Sequence, residues 1–81
     1  MRFNWPDSAR AELRAIDREA ALEILQSLTR YFNSGEGNLK ALRGQFQGLV
    51  RLRVGDYRVL LEVTNDEATV VKVGHRSDVY R

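Results

Sequence analysis

The feature that most constrains the fold of this chain is a series of three closely spaced β-like segments in its carboxyl half. Apolar and polar residues alternate over Leu49–Val54 and Tyr57–Thr64, and a third apolar segment spans Ala68–His75. Period-two alternation and a high valine content are typical of half-buried strands. The short turn sequences Gly55-Asp56 and Asn65-Asp66 separate the segments. The carboxyl half is therefore predicted to form an antiparallel meander.

The amino half adds one short strand and two helices. Met1, Phe3 and Trp5 alternate with polar residues, which predicts an opening strand. Apolar residues at helical spacing predict a short helix through 9–16 and a longer one over Asp17–Asn33. The order β-α-α-β-β-β implies an α+β domain of two layers. We expect a helix hairpin packed on a mainly antiparallel four-stranded sheet.

The length and composition of the chain exclude several classes of protein. With 81 residues, we expect a single domain over residues 1–81, too small for a dinucleotide-binding fold or a barrel. The absence of cysteine excludes a disulfide framework, a cysteine-based zinc site and a thiol nucleophile. No apolar run approaches the roughly 20 residues needed to span a bilayer, and the amino terminus does not resemble a signal peptide. The expected location is the cytoplasm, without a membrane partner.

The charged residues are distributed unevenly along the chain. The net charge is only +2, but eleven of the 13 cationic side chains are arginine, and the whole excess lies in residues 41–81. Strand alternation places Arg51, Arg53 and Arg58 together on the sheet face that points away from the helices. Arginine binds phosphate through two parallel hydrogen bonds, so this face is a candidate groove for a polyanion. The alternative is an ordinary polar face in solvent, partly neutralised by Glu62.

Three short sequences in the carboxyl half carry a resemblance to a known family. They are LKALRG at 39–44, RLRVGDYRV at 51–59 and VGHRSDVYR at 73–81. In this order and spacing they resemble the RelE/ParE toxin superfamily, and more narrowly the RelE branch of type II toxin–antitoxin systems. The resemblance covers the whole chain in length and element order, and it implies a RelE-like fold.

The resemblance also implies an activity and a set of partners. RelE-like toxins are mRNA interferases, ribosome-dependent endoribonucleases that cleave mRNA in the 30S A site and so inhibit translation. The ribose 2′-hydroxyl attacks the adjacent phosphate and leaves a 2′,3′-cyclic phosphate and a 5′-hydroxyl. The family uses no metal or cofactor. Its implied partners are a RelB-like antitoxin, the ribosome with its mRNA, and operator DNA contacted only through the antitoxin.

The matched positions imply particular catalytic residues. Arg58 matches the arginine that binds the scissile phosphate, and Arg76 matches the arginine that stabilises the transition state. Tyr80 matches a carboxyl-terminal tyrosine that stacks on a base or orients the 2′-hydroxyl. Arg51 falls where relatives often carry a lysine proposed as general base, although arginine rarely gives up its proton. His75, the one histidine of the chain, is a further candidate for proton transfer.

Three further cations are predicted to contact RNA, and two other functions stay open. Lys40, Arg43 and Arg53 are predicted to contact RNA phosphates. One alternative is a ParE-like inhibitor of DNA gyrase on the same fold. The other is a catalytically inactive interaction module, which the absence of a lysine at position 51 leaves open. The combination of Arg58, Arg76 and Tyr80 favours the nuclease.

Overall fold

The strands of the protein form one sheet, and both helices pack on the same side of it. The computed structural model describes residues 2–81, so Met1, predicted to begin the opening strand, lies outside the described residues. The elements in chain order are β1 (Arg2–Asn4), α1 (Asp7–Arg14), α2 (Arg18–Ser34), β2 (Asn38–Ala41), a 3₁₀ turn (Gly44–Phe46), β3 (Val50–Val54), β4 (Tyr57–Val63) and β5 (Glu67–His75). The sheet order is β1-β5-β4-β3-β2, with β1 parallel to β5 and every other pair antiparallel.

The sheet has five strands, so the prediction of four strands was wrong. The additional strand is β2, which pairs with β3 in the register Leu39↔Leu52 at one edge of the sheet. Every residue of β2 is exposed, so its sequence shows no buried-and-exposed alternation. Backbone pairing with β3 forms this strand, and hydrophobic patterning cannot reveal it. The predicted two-layer α+β architecture with a mainly antiparallel sheet is confirmed.

The ends of α2 follow from two local signals. The side chain of Asp17 accepts a hydrogen bond from the backbone N–H of Ala20 at 3.2 Å, which caps the first turn. Gly35 adopts a left-handed conformation with φ 75° and donates its N–H to the Tyr31 carbonyl at 2.8 Å. The predicted long helix is therefore confirmed to within one residue at each end.

The β3–β4 turn has a two-residue loop. Val54 pairs with Tyr57, and Gly55 between them has φ 57°. Positive φ at the first central residue alone is the pattern of a type II′ turn, which suits the twist of a hairpin. This turn and the loop after β4 complete the predicted meander, which the strand pairing confirms.

The main core lies between the helices and the sheet. Its buried members are Ala9, Ile24, Leu28, Leu52, Val54, Val59, Leu61, Val70 and Val73. A β-bulge in β5 lies between the pairs Leu60↔Lys72 and Leu61↔Val70. Because of this extra residue, Val70 and Val73 both reach the helix side. The backbone N–H of Val73 donates to Oε1 of Glu12 on α1 at 3.0 Å, which links the bulge to the helix layer.

A second, smaller apolar region lies on the other side of the sheet. Leu60 points away from the helices as predicted, yet it is only 1% exposed, and so is Val79. The residues after β5 fold back over this side, since Nζ of Lys72, the strand neighbour of Leu60, donates to the Arg81 carbonyl at 2.9 Å. The sheet face away from the helices is therefore not fully open. No helix within residues 2–81 is long and apolar enough to cross a membrane.

Candidate functional site

The sheet face that points away from the helices carries two rows of cross-strand neighbours. Side chains that are paired across antiparallel strands lie on the same face. One row consists of Asn38, Arg53, Arg58 and Gly74, and the next consists of Lys40, Arg51, Leu60 and Lys72. We call the cationic members of these rows, Lys40, Arg51, Arg53, Arg58 and Lys72, the basic face. The strand register confirms that the three predicted arginines share one side of the sheet.

Arg58 lies in the middle strand of the basic face and is held by the nearby turn. Its Nη1 donates to the Gly55 carbonyl at 2.8 Å and to the Tyr57 carbonyl at 2.9 Å. The side chain is half-buried, unlike a freely solvated strand arginine. Within the described residues, Nε and Nη2 make no hydrogen bond with protein, so these donors can bind a ligand. The turn therefore holds a guanidinium that can grip a phosphate.

The charges around Arg58 are crowded. Burial lowers the pKa of Arg58, and the neighbouring positive charges of Arg53 and Arg51 lower it further. The nearby hydroxyl of Tyr80 acts in the opposite direction on this pKa, and Arg76 adds a smaller lowering. All four side chains thus lie within electrostatic range of the Arg58 guanidinium. A bound anion would relieve the repulsion among these cations.

Arg51 is oriented by the edge strand. Its Nη2 donates to Oδ1 of Asn38 at 2.9 Å, which connects β3 to β2. The Nε atom of Arg51 is buried and has no hydrogen-bond partner within the described residues. An arginine held in this way presents its guanidinium as a fixed hydrogen-bond donor. The position suits phosphate binding better than general-base chemistry.

The segment after β5 brings Arg76 to the turn beside Arg58. The backbone N–H of Arg76 donates to the Asp56 carbonyl at 2.8 Å. Its side-chain Nε lies 3.9 Å from Oδ1 of Asp56, and both side chains are largely exposed. An exposed ion pair at this distance is weak, so the guanidinium of Arg76 can move to a ligand while its backbone stays in place.

Tyr80 stands next to the basic face and is partly exposed. Its neighbour Val79 is buried and packs against Gly74. A Cβ placed on Gly74 would lie only 3.6 Å from Cβ of Val79, so the two residues are in close contact. The Tyr80 ring packs edge-on against Phe46, with ring centroids 5.5 Å apart, and 37% of the residue remains accessible. The predicted residues Arg51, Arg58, Arg76 and Tyr80 are thus grouped by the fold.

His75 lies on the opposite side of the sheet from Arg58. It pairs with Tyr57, and the two rings meet edge-on at 5.6 Å. Nδ1 of His75 accepts the backbone N–H of Ser77 at 3.2 Å and lies 2.8 Å from its Oγ. These contacts hold the turn after β5. The structure therefore does not bring His75 together with the grouped arginines.

The predicted RNA-contacting residues lie on and beside the basic face. Arg53 faces Arg58 directly, and Lys40 faces Arg51 at the sheet edge. Arg43 precedes the 3₁₀ turn and is exposed beyond the sheet.

Sequence reasoning missed three residues that shape the site. They are Asn38, which orients Arg51, Phe46, which contacts Tyr80, and Lys72, which holds the chain end. Each acts through a contact between distant segments. The local sequence gives little sign of such contacts. Phe46 is the one that could have been singled out, because it is an aromatic residue in a loop and had no predicted role.

The fold is shared with solved toxin structures. A chain of the RelB–RelE antitoxin–toxin complex from Methanococcus jannaschii is similar over 95% of this chain and 94% of its own, with TM-score 0.76 and 23% identity. A chain of the RelE–RelB complex from Pyrococcus horikoshii OT3 matches over 96% and 97%, with TM-score 0.76 and 20% identity. YafQ from E. coli BL21(DE3) matches over 93% and 92%, with TM-score 0.78 and 10% identity. These structures define the class as a RelE-like toxin fold.

The sequence itself identifies the family. Residues 3–80 match the family model described as the ParE toxin of the type II toxin–antitoxin system, parDE. The chain therefore belongs to the ParE toxin family. The resemblance to the RelE/ParE superfamily, noted from three short sequences, is confirmed. No curated protein matches the chain.

Proposed function

We propose that this toxin is a ribosome-dependent mRNA endoribonuclease that cleaves in the 30S A site and so inhibits translation. The observation that supports this proposal is the grouping of Arg76 and Tyr80, in the segment after β5, around Arg58 and Arg51 of the sheet. Two converging arginines suit a phosphate that gains negative charge in the transition state. A partly exposed tyrosine beside them suits a nucleobase next to that phosphate.

The proposed chemistry needs the RNA backbone held in line for attack by the 2′-hydroxyl. Arg58, anchored through Nη1, would bind the scissile phosphate with its remaining donors. Arg76 would approach the same phosphate and stabilise the charge of the five-coordinate phosphorus, with Arg51 as a further cation. Tyr80 would stack on a base and fix the splayed backbone. The bond from phosphorus to the 5′-oxygen would break, the 2′-hydroxyl proton would pass to water, and the departing 5′-oxygen would take a proton from water. Rate enhancement then comes from positioning and from arginine charge, without a metal or cofactor.

The same proposal assigns the partners. The similar structures from M. jannaschii and P. horikoshii are complexes of RelE with RelB. We infer a RelB-like antitoxin for this chain, with operator DNA contacted through that antitoxin. Lys40, Arg43 and Arg53 would contact phosphates of the mRNA or the 30S subunit. Residues 1–81 would act as one toxin domain in the cytoplasm.

A second candidate function is inhibition of DNA gyrase. It is favoured by the match of residues 3–80 to the ParE family model. In this alternative the basic face would contact a protein, and its arginines would take no part in RNA cleavage.

Two parallel assays distinguish the candidates. The purified toxin is added to a reconstituted translation reaction, in which mRNA 5′ ends are mapped, and to a DNA supercoiling reaction with gyrase. We expect cleavage in phase with codons only when ribosomes are present, and unchanged supercoiling. Intact mRNA with lost supercoiling would establish the gyrase inhibitor. If both reactions are unaffected, the chain is an inactive interaction module.

Substitutions then test the site. We expect Arg58→Ala and Arg76→Ala each to lower the cleavage rate by at least about 100-fold and to abolish growth inhibition. Arg10→Ala on the exposed surface of α1 is the matched control and should stay toxic. Circular dichroism and thermal melting show whether each variant is folded. If both site variants cleave at the wild-type rate, the assignment of the site is wrong.

A further inference from the structure

Phe46 is an aromatic residue that the proposed mechanism does not use, although it contacts a member of the site. It ends the 3₁₀ turn between β2 and β3, far in sequence from the chain end. Its ring meets that of Tyr80 with centroids 5.5 Å apart and an interplanar angle of 66°. Edge-to-face aromatic pairs of this kind are favoured by the ring quadrupoles and have a defined geometry.

The backbone that carries Phe46 is well fixed. Its N–H donates to the Arg43 carbonyl at 3.3 Å, and its carbonyl accepts the N–H of Leu49 at 3.1 Å. Gly44 and Gly48 flank it with φ of 66° and 95°, conformations that favour glycine. The turn is therefore built to present one aromatic side chain at a set position, and Phe46 itself is half-buried.

The backbone around Tyr80 is fixed on both sides, but its ring is not enclosed. Val79 before it is 1% exposed, and the carbonyl of Arg81 after it accepts a hydrogen bond from Lys72 at 2.9 Å. Tyr80 as a whole remains 37% exposed. An exposed aromatic side chain can leave its rotamer unless a neighbour contacts it. Phe46 supplies the aromatic contact that limits this ring.

We propose that Phe46 is a positioning residue, which holds the Tyr80 ring beside Arg58 in the orientation that receives a nucleobase. This inference rests on the proposed endoribonuclease function. Phe46 then acts through Tyr80 and does not touch the reacting atoms. Removing it should slow cleavage of bound RNA much more than it weakens binding, because the phosphate contacts of the basic face remain intact.

A double-mutant cycle tests this role. Single-turnover cleavage of mRNA on programmed ribosomes is measured against toxin concentration for wild type, Phe46→Ala, Tyr80→Ala and the double variant. We expect Phe46→Ala to lower the maximal rate about tenfold, with the half-saturating concentration changed less than about threefold. In the Tyr80→Ala background, Phe46→Ala should have almost no further effect, since its partner is absent.

Conservative and remote variants separate positioning from general destabilisation. Phe46→Tyr keeps the edge-to-face contact and should cleave within about threefold of wild type. Leu22→Ala, which shortens an exposed apolar side chain on α2, should cleave as wild type does. If the rate losses of Phe46→Ala and Tyr80→Ala multiply in the double variant, the two residues act independently, and the inference is overturned. A wild-type toxin that leaves ribosome-bound mRNA intact would instead overturn the proposed function.

Discussion

At the scale of single residues, the arginines of the candidate site are held by different contacts. Arg58 is held by two carbonyls of the β3–β4 turn, whereas Arg51 is held by the amide of Asn38. The backbone of Arg76 is fixed, and its side chain is largely exposed, with one long ion-pair contact to Asp56. A phosphate binding here would meet two oriented guanidinium groups and one that can adjust. In the proposed cleavage reaction, Arg58 and Arg51 would hold the phosphate, and Arg76 would follow the charge of the transition state.

His75 provides the prediction at this scale. We expect His75→Ala to lower the free energy of unfolding by about 1 kcal/mol, because Nδ1 accepts the Ser77 N–H that closes the turn. We expect the pH dependence of mRNA cleavage to keep its wild-type shape, because His75 lies on the side of the sheet opposite Arg58. Urea unfolding and single-turnover rates across several pH values measure these two quantities.

A matched substitution separates the two roles of His75. His75→Asn retains an acceptor oxygen one bond from Cγ and should preserve most of the stability. If His75 carries a proton in the reaction, both variants would slow cleavage by more than about tenfold and remove one limb of the pH profile. That result would restore His75 to the catalytic group.

At the scale of elements, the segment after β5 decides whether the site is assembled. It places Arg76 next to the β3–β4 turn and Tyr80 next to Phe46. Val79 anchors this segment by packing over Gly74, directly across from Arg58 in the strand register. The space between Gly74 and Val79 therefore admits a side chain no larger than a methyl group while the chain end packs on the sheet.

Substitution of Gly74 tests this anchoring. A Cβ at this position would lie 3.6 Å from Cβ of Val79, an ordinary contact distance, so Gly74→Ala should stay folded and active. Gly74→Val adds two γ-methyl groups beyond the Cβ, which would lie closer to Val79 and should displace residues 76–81. We expect a loss of about 1–3 kcal/mol in unfolding free energy and at least tenfold slower cleavage. The chain end of Gly74→Val should also be cleaved faster by a protease. Wild-type activity of Gly74→Val would contradict the anchoring role of Val79.

The sequence predicted the elements that carry regular patterns and missed those that depend on contacts between distant segments. The α2 helix and the meander follow from periodicity and from short turn sequences. The edge strand β2 has no buried residue, so no pattern marks it. Leu60 was correctly placed on the side away from the helices, but its burial depends on the folded-back chain end. The grouping of Arg51, Arg53 and Arg58 followed from alternation, while the contact of Phe46 with Tyr80 did not.

At the scale of the whole molecule, the burial of Arg58 among neighbouring cations acts against folding. Burial lowers the pKa of Arg58, and Arg53 and Arg51 lower it further, so the folded state holds this proton less tightly than the unfolded chain does. At neutral pH arginine is protonated in both states, and the whole difference is therefore unfavourable to folding. A polyanion or salt would reduce this penalty, which couples the stability of the toxin to the occupancy of its basic face.

Arg53→Gln tests this coupling, because Arg53 lies directly opposite Arg58 on the neighbouring strand. We expect the substitution to raise the unfolding free energy by about 0.2–1 kcal/mol at low ionic strength, since like charges facing each other across strands are destabilising. The gain should shrink towards zero near 0.5 M salt, where the Debye screening length is about 4 Å. Arg10→Gln on α1 is the control and should show little gain at either salt concentration. Urea unfolding at both concentrations measures the difference. A gain that is equal at low and high salt would show that the arginines of the basic face do not repel one another, and that the fold tolerates them without an anion.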